Sequence, residues 1–180
     1  VVDEQKASMG LFCNDTRFLS RLEMQIEGRS PVLLSSTADK GFLLSILCTN
    51  PTIEDRLNAD ALGIRREIAL GGALFEEIEI TNYSTSSVSF ELSLSFDADF
   101  IDLFEIRGFR REKRGQLLRL AQPIGDRGDE ASRDGAAAYR LCQHEELTLA
   151  YQGLDGLLME SRIQFQHLKP KLFKGYTAVW

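Results

Sequence analysis

One tryptophan, two histidines, three cysteines and four prolines among 180 residues leave several kinds of chemistry without material. Neither His144 nor His167 has a Ser or Cys at a spacing that suggests a catalytic triad. Cys13, Cys48 and Cys142 are odd in number and widely spaced. That is poor material for a disulfide framework or a zinc site, and it points to reduced thiols in a cytoplasmic protein. No apolar run approaches the ~20 residues of a membrane span, and no secretory signal peptide is visible, so a membrane is excluded as partner. Excess positive charge is missing too: 21 Lys and Arg stand against 27 Asp and Glu, a net charge of −6. Binding phosphates in general needs a basic surface, so nucleic acid is excluded as well. What remains is an ordinary globular composition, 43% hydrophobic and 27% charged, in a chain long enough to bury a core without staples.

Period two is abundant. In SVSFELSLSF, Val88, Phe90, Leu92, Leu94 and Phe96 alternate with Ser89, Glu91, Ser93 and Ser95. Successive strand side chains point to opposite faces, so such a segment sets one face on a core and the other in water. TRFLSRLEMQIEG repeats the pattern, with Phe18, Leu22, Met24 and Ile26 inward. GIRREIAL and ALFEEIEITN follow, joined through Gly71-Gly72, a hairpin signal. GFLLSILCTN is apolar on both faces and is expected to lie centrally, covered on both sides. QLLRLA, YRLCQ, EELTLAYQG and LLMESRIQF complete about ten short strands, with GLDG (153–156) as a tight turn between the last two. The pattern points to an antiparallel sandwich or barrel. NPTIEDRLNADAL (50–62) reads as a polar loop with room for one helical turn. PIGDRGDEASRDGAAA (123–138) reads as an exposed excursion. The final KGYTAVW still reads as extended and apolar, so the chain is expected to be an excised piece of something longer. Phe173, Tyr176 and Trp180 are read as packing residues rather than as a sugar-stacking platform.

The densest chemistry lies in FDADFIDLFEIRGFRREKRG (96–115), where Asp97, Asp99, Asp102 and Glu105 precede Arg107, Arg110, Arg111, Lys113 and Arg114. Asp97 and Asp99 stand about 7 Å apart on a strand end, within the roughly 5–9.5 Å that flanks a glycosidic bond. A glycosidase also needs a pocket lined by aromatic and sugar-binding groups, which a small β domain offers poorly. A calcium site would suit three aspartates, but the spacing and glycine of an EF-hand loop are absent. Phe100, Ile101, Leu103 and Phe104, interleaved with the acids, call for burial. The reading adopted is pairing: Arg17 or Arg107 meets Asp99, Asp102 or Glu105, since a guanidinium fork suits a buried carboxylate. A docking role for the same corner is compatible with it. RREKRG (110–115) is read as a solvated hairpin.

Three ordered blocks carry a resemblance. They are Gly10-Leu11-Phe12 with Asp15-Thr16-Arg17, Gly28 and Leu33-Leu34-Ser35; then FDADFIDLFEIRG (96–108); then YQGLDG (151–156), which includes Asp155. In these the chain resembles the amino-terminal domain of bacterial and archaeal-type glycogen debranching enzymes, the amylo-α-1,6-glucosidase group. The resemblance implies a β-supersandwich preceding an α/α toroid that holds the hydrolytic carboxylates. The expectation is therefore an all-β, antiparallel β-supersandwich of about ten or more short strands, with residues 1–180 forming one domain. It would be the non-catalytic amino-terminal module of a glycoside hydrolase, packing on the missing carboxy-terminal catalytic domain and shaping its substrate entrance. Asp15, Arg17, Asp97, Asp99, Asp102, Glu105, Arg107 and Asp155 are the candidate ion-pair or docking residues. No catalytic residue, metal or cofactor is expected. The alternative is an independent α-glucan-binding module, which would need an exposed aromatic platform.

Overall fold

The alternation of apolar and polar side chains builds strands, and the structure is all-β and antiparallel. The computed structural model describes residues 8–38, 40–54, 56–118, 140, 141 and 146–180. The expected excursion at 123–138, with Cys142 and His144, lies outside the described residues. In chain order the strands are β1 (Leu11–Cys13), β2 (Thr16–Leu19), β3 (Arg21–Ile26), β4 (Val32–Thr37), β5 (Leu43–Thr49), β6 (Leu62–Leu70), β7 (Leu74–Asn82) and β8 (Leu92–Asp97). A single helical turn, α1 (Leu103–Ile106), precedes β9 (Gln116–Leu118), β10 (Arg140–Leu141), β11 (Glu146–Gln152), β12 (Leu158–Gln164), β13 (Leu172–Lys174) and β14 (Thr177–Val179). They form four sheets, ordered β1-β2, β10-β13-β14-β8-β3, β12-β11-β9 and β4-β5-β6-β7. The chain divides into two compact units, one of Met24–Ser93 and one of Val1–Glu23 with Leu94–Trp180.

The Met24–Ser93 unit is built on the four-stranded meander. Leu70 and Leu74 face each other across the tip, where Gly72 takes φ 79°, and the Gly71 N–H donates to the Ala73 carbonyl at 3.0 Å. This is the hairpin that Gly71-Gly72 predicted. Its register sets Ile64 opposite Ile80 and Arg66 opposite Ile78. Ile64 is fully buried, and Cys48, its partner on β5, is buried too. Burial holds the Cys48 thiol protonated above its ordinary pKa, against a smaller opposing pull from Arg66. On the same face Arg66 pairs with Glu76 at 2.6 Å, both side chains largely withdrawn from water. The other face is charged, and there Arg65 lies between Glu67 at 3.3 Å and Glu79 at 3.2 Å. Glu67 stands directly opposite Glu77, so Arg65 offsets a like-charge pairing. β5 was expected to be covered on both faces. It is central in the hydrogen-bond ladder, but Leu47 is exposed, because it lies on the same face as Arg65.

Asn50 holds the 50–62 segment together. Its amide is fully buried and donates to the carbonyls of Pro51 (2.9 Å) and Asn58 (2.7 Å) while accepting from the Leu62 N–H (2.8 Å). The Thr49 hydroxyl donates to the Leu62 carbonyl at 2.9 Å. Among the described residues of this segment no helix is formed. Reciprocal Ile53–Leu57 backbone bonds of 2.8 and 2.9 Å close a tight loop, because Ile53 and Leu57 both turn inward.

In the other unit, β1 and β2 form a hairpin through Asn14 and Asp15, both with positive φ (46° and 61°), the geometry of a type I′ turn. TRFLSRLEMQIEG, read as one strand, is two. At Ser20, whose N–H donates to the Asp97 carbonyl (2.8 Å), the chain passes from pairing with β1 to pairing in the sheet of β8. The side-chain phase continues through the break, which is why the pattern conceals it. Phe165 is ringed by Phe96, Phe173 and Trp180 at centroid distances of 5.3–6.0 Å, and the Trp180 indole donates to the Leu168 carbonyl (2.8 Å). Each of these three rings packs on Phe165, edge-on or tilted.

Candidate functional site

The Asp97–Glu105 acids lie in the unit that also holds Arg17. Arg17 projects from β2, and it is 2% exposed. Its Nε donates to Asp99 Oδ1 at 3.1 Å and its Nη2 to Asp99 Oδ2, a two-pronged pairing between residues 82 apart in sequence. Nη1 donates to the Met9 carbonyl at 3.0 Å. The backbone reinforces the pairing: the Arg17 N–H reaches the Ile101 carbonyl (2.9 Å), and the Leu103 N–H the Asp15 carbonyl (3.0 Å). Gly10 lies against the aliphatic stem of Arg17. With φ 150°, a Cβ there would stand 2.5 Å from both Arg17 Cδ and the Leu19 carbonyl oxygen. Gly10→Ala is therefore expected to destabilise the protein by about 1–3 kcal/mol through overpacking, read as a lower urea midpoint.

Asp102 sits at the amino end of α1. Its Oδ1 accepts the N–H groups of Phe104 and Glu105, both at 2.9 Å, while Glu105 Oε2 reaches back to the Asp102 N–H at 3.4 Å, a capping box. Arg111 brings Nε (2.9 Å) and Nη2 to Asp102 Oδ2, and Arg114 Nε lies 3.4 Å from Glu105 Oε1. Arg114 also donates to the Asp99 carbonyl (2.9 Å) and stands 5.9 Å above the ring of Tyr151, whose hydroxyl accepts the Gly115 N–H at 2.7 Å. Phe100, buried with φ 50°, stacks on Tyr151 (5.7 Å) and meets Phe18 edge-on (5.4 Å). A left-handed phenylalanine costs of order 1–3 kcal/mol, and this aromatic packing over-determines it.

The electrostatics follow from these contacts. Burial raises the Asp102 pKa and is the largest single influence. The N–H groups of Glu105 and Phe104 and the Arg111 guanidinium together outweigh it and hold the carboxyl below its ordinary 3.8. The same pairing pushes Arg111 up. A depressed folded-state pKa adds stability above about pH 3.8, lost as pH falls through the lower folded value. Asp102→Ala is thus expected to cost about 1 kcal/mol at pH 7 through the missing cap, and progressively less as pH falls below 3.8, in urea unfolding at several pH values.

Of the predicted residues, Arg17 and Asp99 are brought together, and Asp102 and Glu105 share one capping box. Asp97 is exposed and its carboxylate accepts its neighbour Ala98 N–H at 2.9 Å. Asp15 contributes its backbone at the hairpin tip. Arg107 is exposed, and its N–H ends α1 on the carbonyls of Leu103 and Glu105. Asp155 stands apart, closing the GLDG turn by accepting the Leu157 N–H at 3.0 Å. Phe104, expected to be buried, is exposed on α1, while Phe100 and Ile101 are inside. RREKRG is not simply solvated, since Arg111 and Arg114 fold back onto the acids. Among the described residues no group of three Asp, Glu, His or Cys side chains could hold a metal. None of their helices is long and apolar enough to cross a membrane.

A family model described as the N-terminal domain of (some) glycogen debranching enzymes matches residues 1–180. The chain belongs to that family. No curated protein and no solved structure matches it. In this glycogen debranching enzyme N-terminal domain, the three blocks that carried the resemblance meet different ends. Arg17 of the first block and Asp99 of the second form the buried pair. Tyr151 of the third stacks on Phe100 of the second. Arg111 and Arg114, which no block contains, complete the corner.

Proposed function

We propose that this domain is a non-catalytic β-supersandwich module joined, in a cytoplasmic debranching enzyme of the amylo-α-1,6-glucosidase type, to an α/α-toroid catalytic domain. It packs on that domain and shapes the entrance to its substrate cleft. The observation that carries this reading is the state of the acids. Asp99 and Asp102 are each engaged by an arginine together with backbone N–H groups, and Glu105 by Arg114 and the Asp102 N–H, so these three carboxylates hold the fold, while Asp97 is exposed and accepts the Ala98 N–H. A rigid, ion-paired corner is also a precise surface on which to seat another domain. The free thiols Cys13 and Cys48 fit a reducing compartment.

Titration with maltoheptaose followed by NMR tests this reading against a glucan-binding module. The expected result is no saturable shift at millimolar sugar. Saturable shifts centred on tyrosine or tryptophan signals would transfer the function to glucan binding.

A further inference from the structure

The corner around α1 is held in two different ways. Arg17 and Asp99 form its inner half: the Arg17 side chain is 3% exposed and is tied to the Met9 carbonyl as well. Arg111 and Arg114 form its outer half, with side chains 46% and 37% exposed. They belong to residues 110–114, a run without helix or strand in which every residue is exposed. Both ends of this run are fixed by uncharged contacts. Before it, the N–H groups of Gly108 and Phe109 donate to the Glu105 and Phe104 carbonyls at 2.9 and 3.0 Å. After it, the Gly115 N–H donates to the Tyr151 hydroxyl at 2.7 Å, and Gln116 opens β9 opposite Gln152.

Between these ends, no backbone group of 110–114 is hydrogen-bonded to another among the described residues, and Arg110, Glu112 and Lys113 make no ion pair with them. Charge holds the run down. Arg111 grips Asp102 Oδ2 through Nε at 2.9 Å and through Nη2, and Arg114 Nε stands 3.4 Å from Glu105 Oε1. Arg111 Nε also lies 3.9 Å from Glu105 Oε2, which links the two pairs into one network. Arg114 alone has a further hold on uncharged groups, the Asp99 carbonyl at 2.9 Å and the Tyr151 ring. A single exposed pair contributes little, but four linked charges act together. At ordinary ionic strength the screening length of about 8 Å exceeds these contacts, and at about 1 M salt it shrinks to about 3 Å. Buried pairs are screened much less. We infer that residues 110–114 are an electrostatic strap, clasped over Asp102 and Glu105 at ordinary ionic strength and lifted by high salt. It opens from the Arg111 end with Arg114 as its hinge, while the Arg17–Asp99 pair stays shut. Closed, the strap matches two carboxylates with two guanidinium groups. Open, it presents a basic ribbon beside uncovered acids, so ionic conditions set the charge that this corner shows to a partner. The strap follows from these contacts alone and does not depend on the function proposed above.

Backbone 15N relaxation of the 180-residue chain in low salt and in about 1 M NaCl tests it. Order parameters over 110–113 are expected near about 0.85 in low salt and below about 0.6 in high salt, with Ile101 and Leu103 rigid in both. Asp102→Asn with Glu105→Gln keeps side-chain acceptors at both positions of the capping box but discharges the clasp. That double variant is expected to loosen 110–113 already in low salt and to leave α1 in place. High order over 110–113 in both salts, low order in both, or a double variant as ordered as the parent would each overturn the strap. Loss of order at Ile101 and Leu103 together with 110–113 would overturn it too, because the corner would then open as one piece.

Discussion

Replacing Arg17 with alanine is expected to destabilise the protein by about 3 kcal/mol. Removing one partner of a buried ion pair strands the other charge, which costs about 3–5 kcal/mol in general. The lower end applies here because the Asp99 side chain keeps 30% of its exposure, so water can partly resolvate it. The loss also frees the Met9 carbonyl and removes the stem on which Gly10 is packed. In urea the midpoint should fall by about 1–2 M with an unchanged slope. Arg17→Met combined with Asp99→Leu should recover most of the loss, since an apolar pair of similar volume leaves no charge behind. If Arg17→Ala were neutral, the pair would be a surface ornament and the corner would not be rigid.

Asn50→Ala is expected to have an effect of similar size by a different route. The amide serves three backbone groups, the Pro51 and Asn58 carbonyls and the Leu62 N–H, and is itself fully buried. Each buried group left unsatisfied costs about 1–3 kcal/mol, and water entering the vacated space would meet part of that demand. A total near 3 kcal/mol follows, read in the same urea experiment. Hydrogen exchange separates the two variants: Arg17→Ala should speed exchange around Ile101 and Leu103, and Asn50→Ala around Leu62. Asn50→Asp should fail as well, because a carboxylate cannot donate to the two carbonyls.

Much of this fold was legible because period two reports directly on strands. The β6–β7 hairpin was readable to within a residue, since Gly71-Gly72 marked its tip and the alternation of Ile64, Ile68, Ile78 and Ile80 its inner face. The same signal hid the break at Ser20, because a strand can change sheets without changing phase. It also overstated the cover on β5, where an apolar Leu47 faces solvent. At the site, Arg17 and Asp99 were both among the candidates and do pair, whereas Asp97 and Asp155 meet only nearby backbone N–H groups. Spacing could not choose among partners 82 residues apart, and nothing in RREKRG announced that Arg111 and Arg114 fold back. The 50–62 segment read as a polar loop, but the burial of the Asn50 side chain goes with Ile53 and Leu57 packing inward. That is a tertiary fact without a local signature.

The account stands on the acids of this corner serving structure rather than hydrolysis. Its most direct test is glucose release from an α-1,6-branched maltooligosaccharide by the 180-residue chain between pH 4 and 8. The account predicts no release above the protein-free control across that range. Release that Asp99→Asn abolishes while the chain stays folded would contradict it.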